Sequence, residues 1–357
     1  MHLLHIVTPS HLLTSPELLG LIRLTQQQVG GVHKTIVIGS SAEAKYLRKC
    51  GIYVSGSVDG VLDMSRILVE RVSRLVEVNS VEGAKHIIAW GAHATSAVGG
   101  IKTALQKIAF VDGLNQSLQL RSNDCMIIPT SCRGSTYLQQ LGVASDFISE
   151  PLIGVEPTAM VASRSIVLDL LNLDESTRMV GVIGNNGSWK EVLDMVFRIK
   201  TTGERVVFIL PPYYAYRSQL ILAARKHGID NLIIDIPPAL RLVDVCAHAD
   251  CAWVPSVAEF DSTYSVLDVL KVAWEDVPLA VQSSHAVCSV PTIGKKIAWA
   301  RDVLDISSWM LDILRGSTNW EQPCAQVTTS IHLLASTSRF IGGLQQRISV
   351  APTLRCC

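Results

Sequence analysis

The residues best placed for chemistry lie in the second half of the chain. The segment MVGVIGNNGSWKEVLDMV (179–196) reads as a strand, a glycine-containing loop and a helix. Such a loop can offer a phosphate both backbone N–H groups and a helix N-terminus. The leading N–H groups of a helix lack intrahelical acceptors, and the dipole puts partial positive charge there. Gly184 and Asn185 open the loop, and Lys190 adds a point charge beside it. An ordinary βα turn, whose glycines only permit the backbone angles, explains the same letters. Neither GxGxxG nor GxxxxGK[ST] is present, so the standard nucleotide fingerprints do not decide.

A second segment covers residues 249–281, ADCAWVPSVAEFDSTYSVLDVLKVAWEDVPLAV. A buried strand ends at Pro255-Ser256, and an acidic loop with hydroxyls follows: Glu259, Asp261, Ser262 and Thr263. Ser262 or Thr263 suits an N-cap, leaving N–H groups that can hold a diphosphate. Glu259 can accept hydrogen bonds from sugar or ribose hydroxyls. Helix capping by Asp261 and Ser262 is the plainer reading of the same loop.

Other chemistries find little support. The ten histidines include no HExxH, so no metal site is expected. A serine-hydrolase G-x-S-x-G elbow is absent. The PPYYAY run (211–216) suits either stacking on a base or sugar, or a proline-terminated strand with amphipathic tyrosines.

These loops need rigid elements behind them. Short Ile- and Val-rich runs occupy residues 3–9, 35–40, 86–90, 107–111 and 125–129, then 179–184, 205–210, 232–236, 251–255 and 279–282. Each closes on Pro, Gly, Ser or Asp, as buried parallel strands do. Helix-period stretches lie between them, at 16–29, 42–50, 65–78, 94–106, 137–141, 190–200, 216–227, 239–248, 264–274 and 296–314. The alternation predicts right-handed crossovers and parallel sheets. It restarts near residue 179, after a Pro- and Gly-marked stretch. The expected division is a first α/β domain over 1–160, a second over 161–318, and a tail over 319–357 whose helix (328–346) packs back on the first domain. Open α/β sheets bind ligands at the carboxyl ends of their strands, where strand order reverses.

Composition sets outer bounds. Apolar residues make up 48% and charged residues 17% of the 357, which fits strands covered on both faces by helices. Equal numbers of acids and bases leave no global basic field for nucleic acid. No stretch reaches the roughly 18 uninterrupted apolar residues of a membrane span, although peripheral membrane contact stays open. The first residues read as a strand, not a signal peptide. Nine scattered cysteines without a CxxC pair fit a reducing cytoplasm rather than a disulfide framework.

In order and spacing, these residues resemble the retaining GT-B glycosyltransferases of the family-4 type. There a strand ends in Val-Gly-Arg-Leu with a Lys soon after, as 184–190 does. A later strand ends in Pro-Ser before an acidic loop, a glutamate-headed helix and a Gly-x-Pro turn. Pro255, Ser256, Glu259, Val277 and Pro278 occupy those places. In the first half, HIIAWGAHATSA is similar to the family's His-bearing segment, and IIPTSCRGSTYLQQLGVASDFISEPLIGVEP to its closing strand, helix and linker. The likeness runs collinearly over about residues 3–315.

The resemblance implies two doubly wound Rossmann-like domains facing a central cleft. It also implies transfer of a sugar from a nucleotide-diphosphate sugar to a glycan, lipid or small-molecule acceptor, with retention and without a metal or other cofactor. Lys190 and the helix near Ser262, Thr263 and Asp268 would hold the diphosphate and ribose, with Gly184 and Asn185. Pro238 would lie by the base, and Glu259 beside the transferred sugar. Asp112 stands where the family has a His, Asn185 where it has an Arg, and Lys271 where it has a second Glu. A binding protein of the same fold without catalysis, and a nucleotide-sugar epimerase, are the alternative expectations.

Overall fold

The structure is a computed structural model. It describes residues 2–9, 16–59, 66–80, 83–111, 125–155, 162–184, 187–211, 214–237, 239–255, 266–275, 277–282, 298–300, 303–316 and 337–350. The chain divides into two compact units, Met1–Glu156 with Ala335–Cys357, and Pro157–Leu334.

The first unit contains β1 (His2–Val7), α1 (Pro16–Gln28), β2 (Val32–Ile38), α2 (Ser41–Lys49), β3 (Gly56–Val58), α3 (Arg66–Ser80), β4 (His86–Trp90), α4 (Ala92–Gly99), β5 (Gln106–Val111), β6 (Cys125–Pro129) and α5 (Cys132–Gln140). The second contains α6 (Arg164–Leu171), β7 (Arg178–Val182), α7 (Trp189–Thr201), β8 (Val206–Leu210), α8 (Arg217–Lys226), β9 (Ile233–Asp235), α9 (Leu242–Cys246), β10 (Cys251–Val254), α10 (Val266–Trp274), β11 (Leu279–Gln282), β12 (Ala298–Ala300) and α11 (Val303–Leu314). Helix α12 (Thr337–Val350) returns to the first unit.

The first sheet has the order β3-β2-β1-β4-β5-β6, and the second, read from its far edge, β9-β8-β7-β10-β11-β12. All pairings are parallel. The two orders are the same doubly wound pattern, so each sheet reverses once, between β1 and β4 and between β7 and β10.

Both faces of each sheet are covered. In the first unit Leu4, Ile6, Ile87 and Ala89 pack under Val72 and Val76 of α3 and Ala94 and Ala97 of α4. His5, Trp90 and Phe110 alternate to the other face, where Phe340 of α12 meets the Phe110 ring edge-on at 5.8 Å. Helix α12 lies close enough that a Cβ on Gly154 would stand 2.5 Å from Phe340 Cγ. Arg347, near its end, donates to Ser149 Oγ at 3.2 Å and to the Glu150 carbonyl at 3.1 Å. In the second unit Val192, Met195 and Ile199 of α7 and Met310 of α11 cover one face. Val167 and Leu171 of α6 cover the other.

Several elements differ from expectation. The helix expected over 94–106 is Ala92–Gly99, because Gly99 and Gly100 end it and the chain then descends to β5. The helix expected over 137–141 starts earlier, where the Ser131 side chain accepts from Gly134 N and caps it. Residues 298–300, expected in a helix, form the edge strand β12, and the helix starts at Val303. The helix over 239–248 contracts to Leu242–Cys246.

Candidate functional site

The reversal of the second sheet brings the ends of β7 and β10 together. Beyond β7 the chain runs through Ile183 and Gly184, both buried. Gly184 has φ 99°, a backbone region that costs a side-chain-bearing residue energy and suits glycine. Helix α7 then begins, with the Ser188 side chain accepting from Glu191 N at 3.4 Å. Trp189 and Lys190 lie in its first turn, with the Lys190 ammonium 5.9 Å from the Trp189 ring centroid and exposed. A lysine in a first turn opposes the helix dipole and weakens the helix slightly. An anion at that N-terminus would interact with both the dipole and the lysine.

Tyr214 fixes this loop from the side. Its buried hydroxyl donates to the Gly187 carbonyl at 2.7 Å. Burial, followed by the charge of Glu191, pushes the phenol well above its ordinary range, so it remains a donor. Because a trans peptide points its C=O and following N–H in opposite directions, this bond turns the Ser188 N–H away from Tyr214. The PPYYAY run therefore supplies a structural tyrosine. Nearby, Arg217 of α8 pairs with Asp235 at the end of β9, its Nε donating at 2.6 Å. That pair was not foreseen, since neither residue stands in a motif.

Beyond β10, Pro255 is buried. Of the anticipated site residues, Glu259, Ser262, Thr263, Asn185, Pro238 and Asp112 lie outside the described residues. Asp268 lies on α10. Lys271 lies one turn further along, almost fully buried, with its ammonium 3.8 Å from Glu275. Gly184 and Lys190 are brought to the same loop; the other assignments have no described geometry.

The reversal of the first sheet has its own polar feature. Trp90 Nε1 donates to His5 Nδ1 at 2.9 Å, His5 Nε2 donates to His33 Nδ1 at 2.9 Å, and His33 Nε2 donates to the Val29 carbonyl at 2.6 Å. That order is the one that gives every nitrogen a partner with both rings neutral. Burial, reinforced by His33, pushes the His5 pKa down to about 3. Burial also lowers His33. Trp90 is therefore committed to the core rather than to a ligand. His93, in the first turn of α4, is half-buried, with its pKa lowered by burial. Thr8, just beyond β1, is buried, and its hydroxyl has no hydrogen-bond partner among the described residues. Among the described residues no three His, Cys, Asp or Glu side chains gather as a metal site would require.

Comparison with solved structures places this architecture. HepE of Anabaena, in complex with UDP and glucose, superposes with a TM-score of 0.74 at 12% identity, covering 98% of this chain and 99% of that one. Sucrose-phosphate synthase of Thermosynechococcus elongatus superposes at 0.68 with 12% identity, covering 99% and 100%. The fold is GT-B. A UDP-N-acetylglucosamine 2-epimerase also superposes, at 0.59 with 13% identity over 98% and 94%. No family model matches the sequence, and no curated protein matches it. Such identities establish a shared GT-B architecture and leave activity to be argued from residues. No described helix is long and apolar enough to cross a membrane.

Proposed function

We propose that the chain is a retaining glycosyltransferase of the family-4 type, using a nucleotide-diphosphate sugar. The observation that carries the reading is the β7–α7 loop, where buried Gly184 at φ 99° leads into a helix with Lys190 in its first turn. This is an arrangement suited to a diphosphate. The fold it shares with HepE, a protein seen with UDP and glucose, supports the same assignment.

In this reading the bond between the anomeric carbon and the β-phosphate oxygen breaks, and the nucleoside diphosphate leaves with the bond's electrons. An acceptor hydroxyl oxygen bonds to that carbon on the same face, and its proton passes to the departing phosphate oxygen. Lys190 and the N–H groups of α7 stabilise the charge that develops, without a metal or other cofactor. Asn185, Ser262, Thr263 and Asp268 complete the donor site, Pro238 lies by the base, and Glu259 faces the sugar. Asp112 is the further catalytic candidate.

The test is calorimetric titration with UDP, UDP-glucose and other nucleotide sugars, followed by product analysis. The reading expects binding of a nucleotide sugar, weakened in Lys190→Ala. No binding by any nucleotide or nucleotide sugar would refute it. Two alternatives each have an observation in their favour. The likeness to a UDP-N-acetylglucosamine 2-epimerase supports an epimerase, which would convert its donor with no acceptor present. Lys271, held in a buried pair with Glu275 where the family has a carboxylate, supports a binding protein, which would bind donor without turnover.

A further inference from the structure

The chain carries no net charge, yet its two units do not share charge evenly. The first unit has 16 Lys and Arg against 12 Asp and Glu, a net charge of +4, and the second has 15 against 19, a net charge of −4. Overall neutrality therefore conceals a basic unit.

Part of that excess lies along one edge of the first sheet. Its six strands are parallel, so their amino-terminal ends share one edge, opposite the edge that bears Thr8, Gly91 and His93. Lys85, whose N–H donates to the His2 carbonyl, sits where β4 begins. Helix α2 runs back toward this edge and ends in Arg48 and Lys49. Arg48 reaches the Val54 carbonyl at 3.3 Å, which fixes its guanidinium beside the start of β3. Lys45, Arg48, Lys49 and Lys85 are all exposed. Glu77, in the last turn of α3, and Asp146, beyond α5 where the chain returns beside the start of β6, are anions toward this edge.

Exposed apolar and aromatic side chains stand among these cations. Val32, which opens β2, is 45% exposed, Tyr46 of α2 47%, and Tyr53 63%. Tyr53 is held at the edge by its N–H, which donates to Gln26 Oε1 at 3.3 Å. Tyrosine rings suit the headgroup level of a bilayer, with an apolar body and a wet hydroxyl. Basic side chains interleaved with such rings match an anionic lipid surface. A row of parallel strand ends presents a broad edge rather than a groove that would track a nucleic-acid backbone.

We infer that the amino-terminal edge of the first sheet docks the protein onto an anionic bilayer surface. Docking there leaves the opposite edge of the same sheet facing away from the bilayer.

Co-sedimentation of the full chain with vesicles tests this. Phosphatidylcholine vesicles should leave it in solution, and vesicles enriched in phosphatidylglycerol should bring it down, with binding lost in high salt. The exposed variant Lys45→Glu/Lys49→Glu/Lys85→Glu should bind at least about 100-fold more weakly, since each cation near such a surface contributes about fivefold, or about 1 kcal/mol. It should keep the wild-type circular dichroism and melting temperature. Tyr53→Ser should bind several-fold more weakly at unchanged salt dependence. Lys226→Glu, on α8 of the other unit, should bind as wild type. The inference is overturned if phosphatidylglycerol does not recruit the protein, if the triple variant binds normally, if Lys226→Glu is equally impaired, or if a single-stranded oligonucleotide binds as tightly as the vesicles and competes with them.

Discussion

Acid should loosen the first unit through His5. This ring is fully buried, bonded to Trp90 and His33, with its pKa held down to about 3 against an ordinary 6.5. Between those two values the unfolded chain binds a proton that the folded chain refuses. The folded state is therefore fully favoured above pH 6.5 and loses stability steadily as pH falls toward about 3. Each pH unit in that window costs about 1.4 kcal/mol, so acidification from pH 7 to pH 5 should remove about 2 kcal/mol through His5 alone. The lowered pKa of His33 acts in the same direction. Hydrogen-exchange mass spectrometry on peptides covering β1 and β4 reads this locally, after correction for the intrinsic pH dependence of exchange. Where exchange reports global opening of the unit, protection should fall about 30-fold between the two pH values. In His5→Gln the baseline will be lower, because a flexible amide replaces the ring packed between Trp90 and His33, but the decline with pH should be shallower by about one proton. An identical decline in wild type and His5→Gln would refute the reasoning, since the proton uptake would then belong to other groups.

Further perturbations follow from the geometry. Gly154→Ala places a Cβ in the Phe340 ring and should lower the stability of the first unit by about 1–3 kcal/mol, read as a drop in its unfolding midpoint. Asp244 is buried and accepts from Arg241 Nε at 2.7 Å, Arg241 N at 3.0 Å and Ala162 N at 3.2 Å. Asp244→Ala strands the Ala162 N–H and should cost about 1–3 kcal/mol, with faster tryptic cleavage at Arg164 as the readout. Gly184→Ala meets the strain of φ 99° and should destabilise the second unit by about 1–3 kcal/mol while weakening UDP binding. Unchanged UDP affinity in Gly184→Ala would separate this loop from the donor site.

Much of the fold was legible because buried parallel strands are near-continuous apolar runs. Residues 206–210, VVFIL, are buried throughout and could hardly be anything else. The edge strands β3 and β12 were not legible, whereas the equally short β9 was, because residues 232–236 form an Ile-rich apolar run and GSV and AWA do not. Helix starts were clear where a side chain caps them, as Ser188 does, and misplaced where the cap lay outside the apolar pattern, as Ser131 does. At the site, Gly184 and Lys190 could be read because one strand–loop–helix segment contains both. Tyr214 stood in view as a tyrosine, but its role depends on a contact to Gly187 that crosses 27 residues of sequence. The Trp90–His5–His33 chain spans three strands, and its histidines sit at apolar positions in strand patterns, where sequence alone suggests only packing. Overall charge balance says nothing of its distribution, because neutral totals average a basic and an acidic unit.

The central claim, a nucleotide-diphosphate sugar at the β7–α7 loop, is tested most directly by thermal unfolding of wild type and Lys190→Ala with and without UDP-sugars. A ligand at one hundred times its dissociation constant should stabilise the second unit by about 2.7 kcal/mol. Wild type should show that gain with at least one nucleotide sugar, and Lys190→Ala a smaller gain at the same concentration. No shift in wild type with any nucleotide sugar, or an undiminished shift in Lys190→Ala, would contradict it.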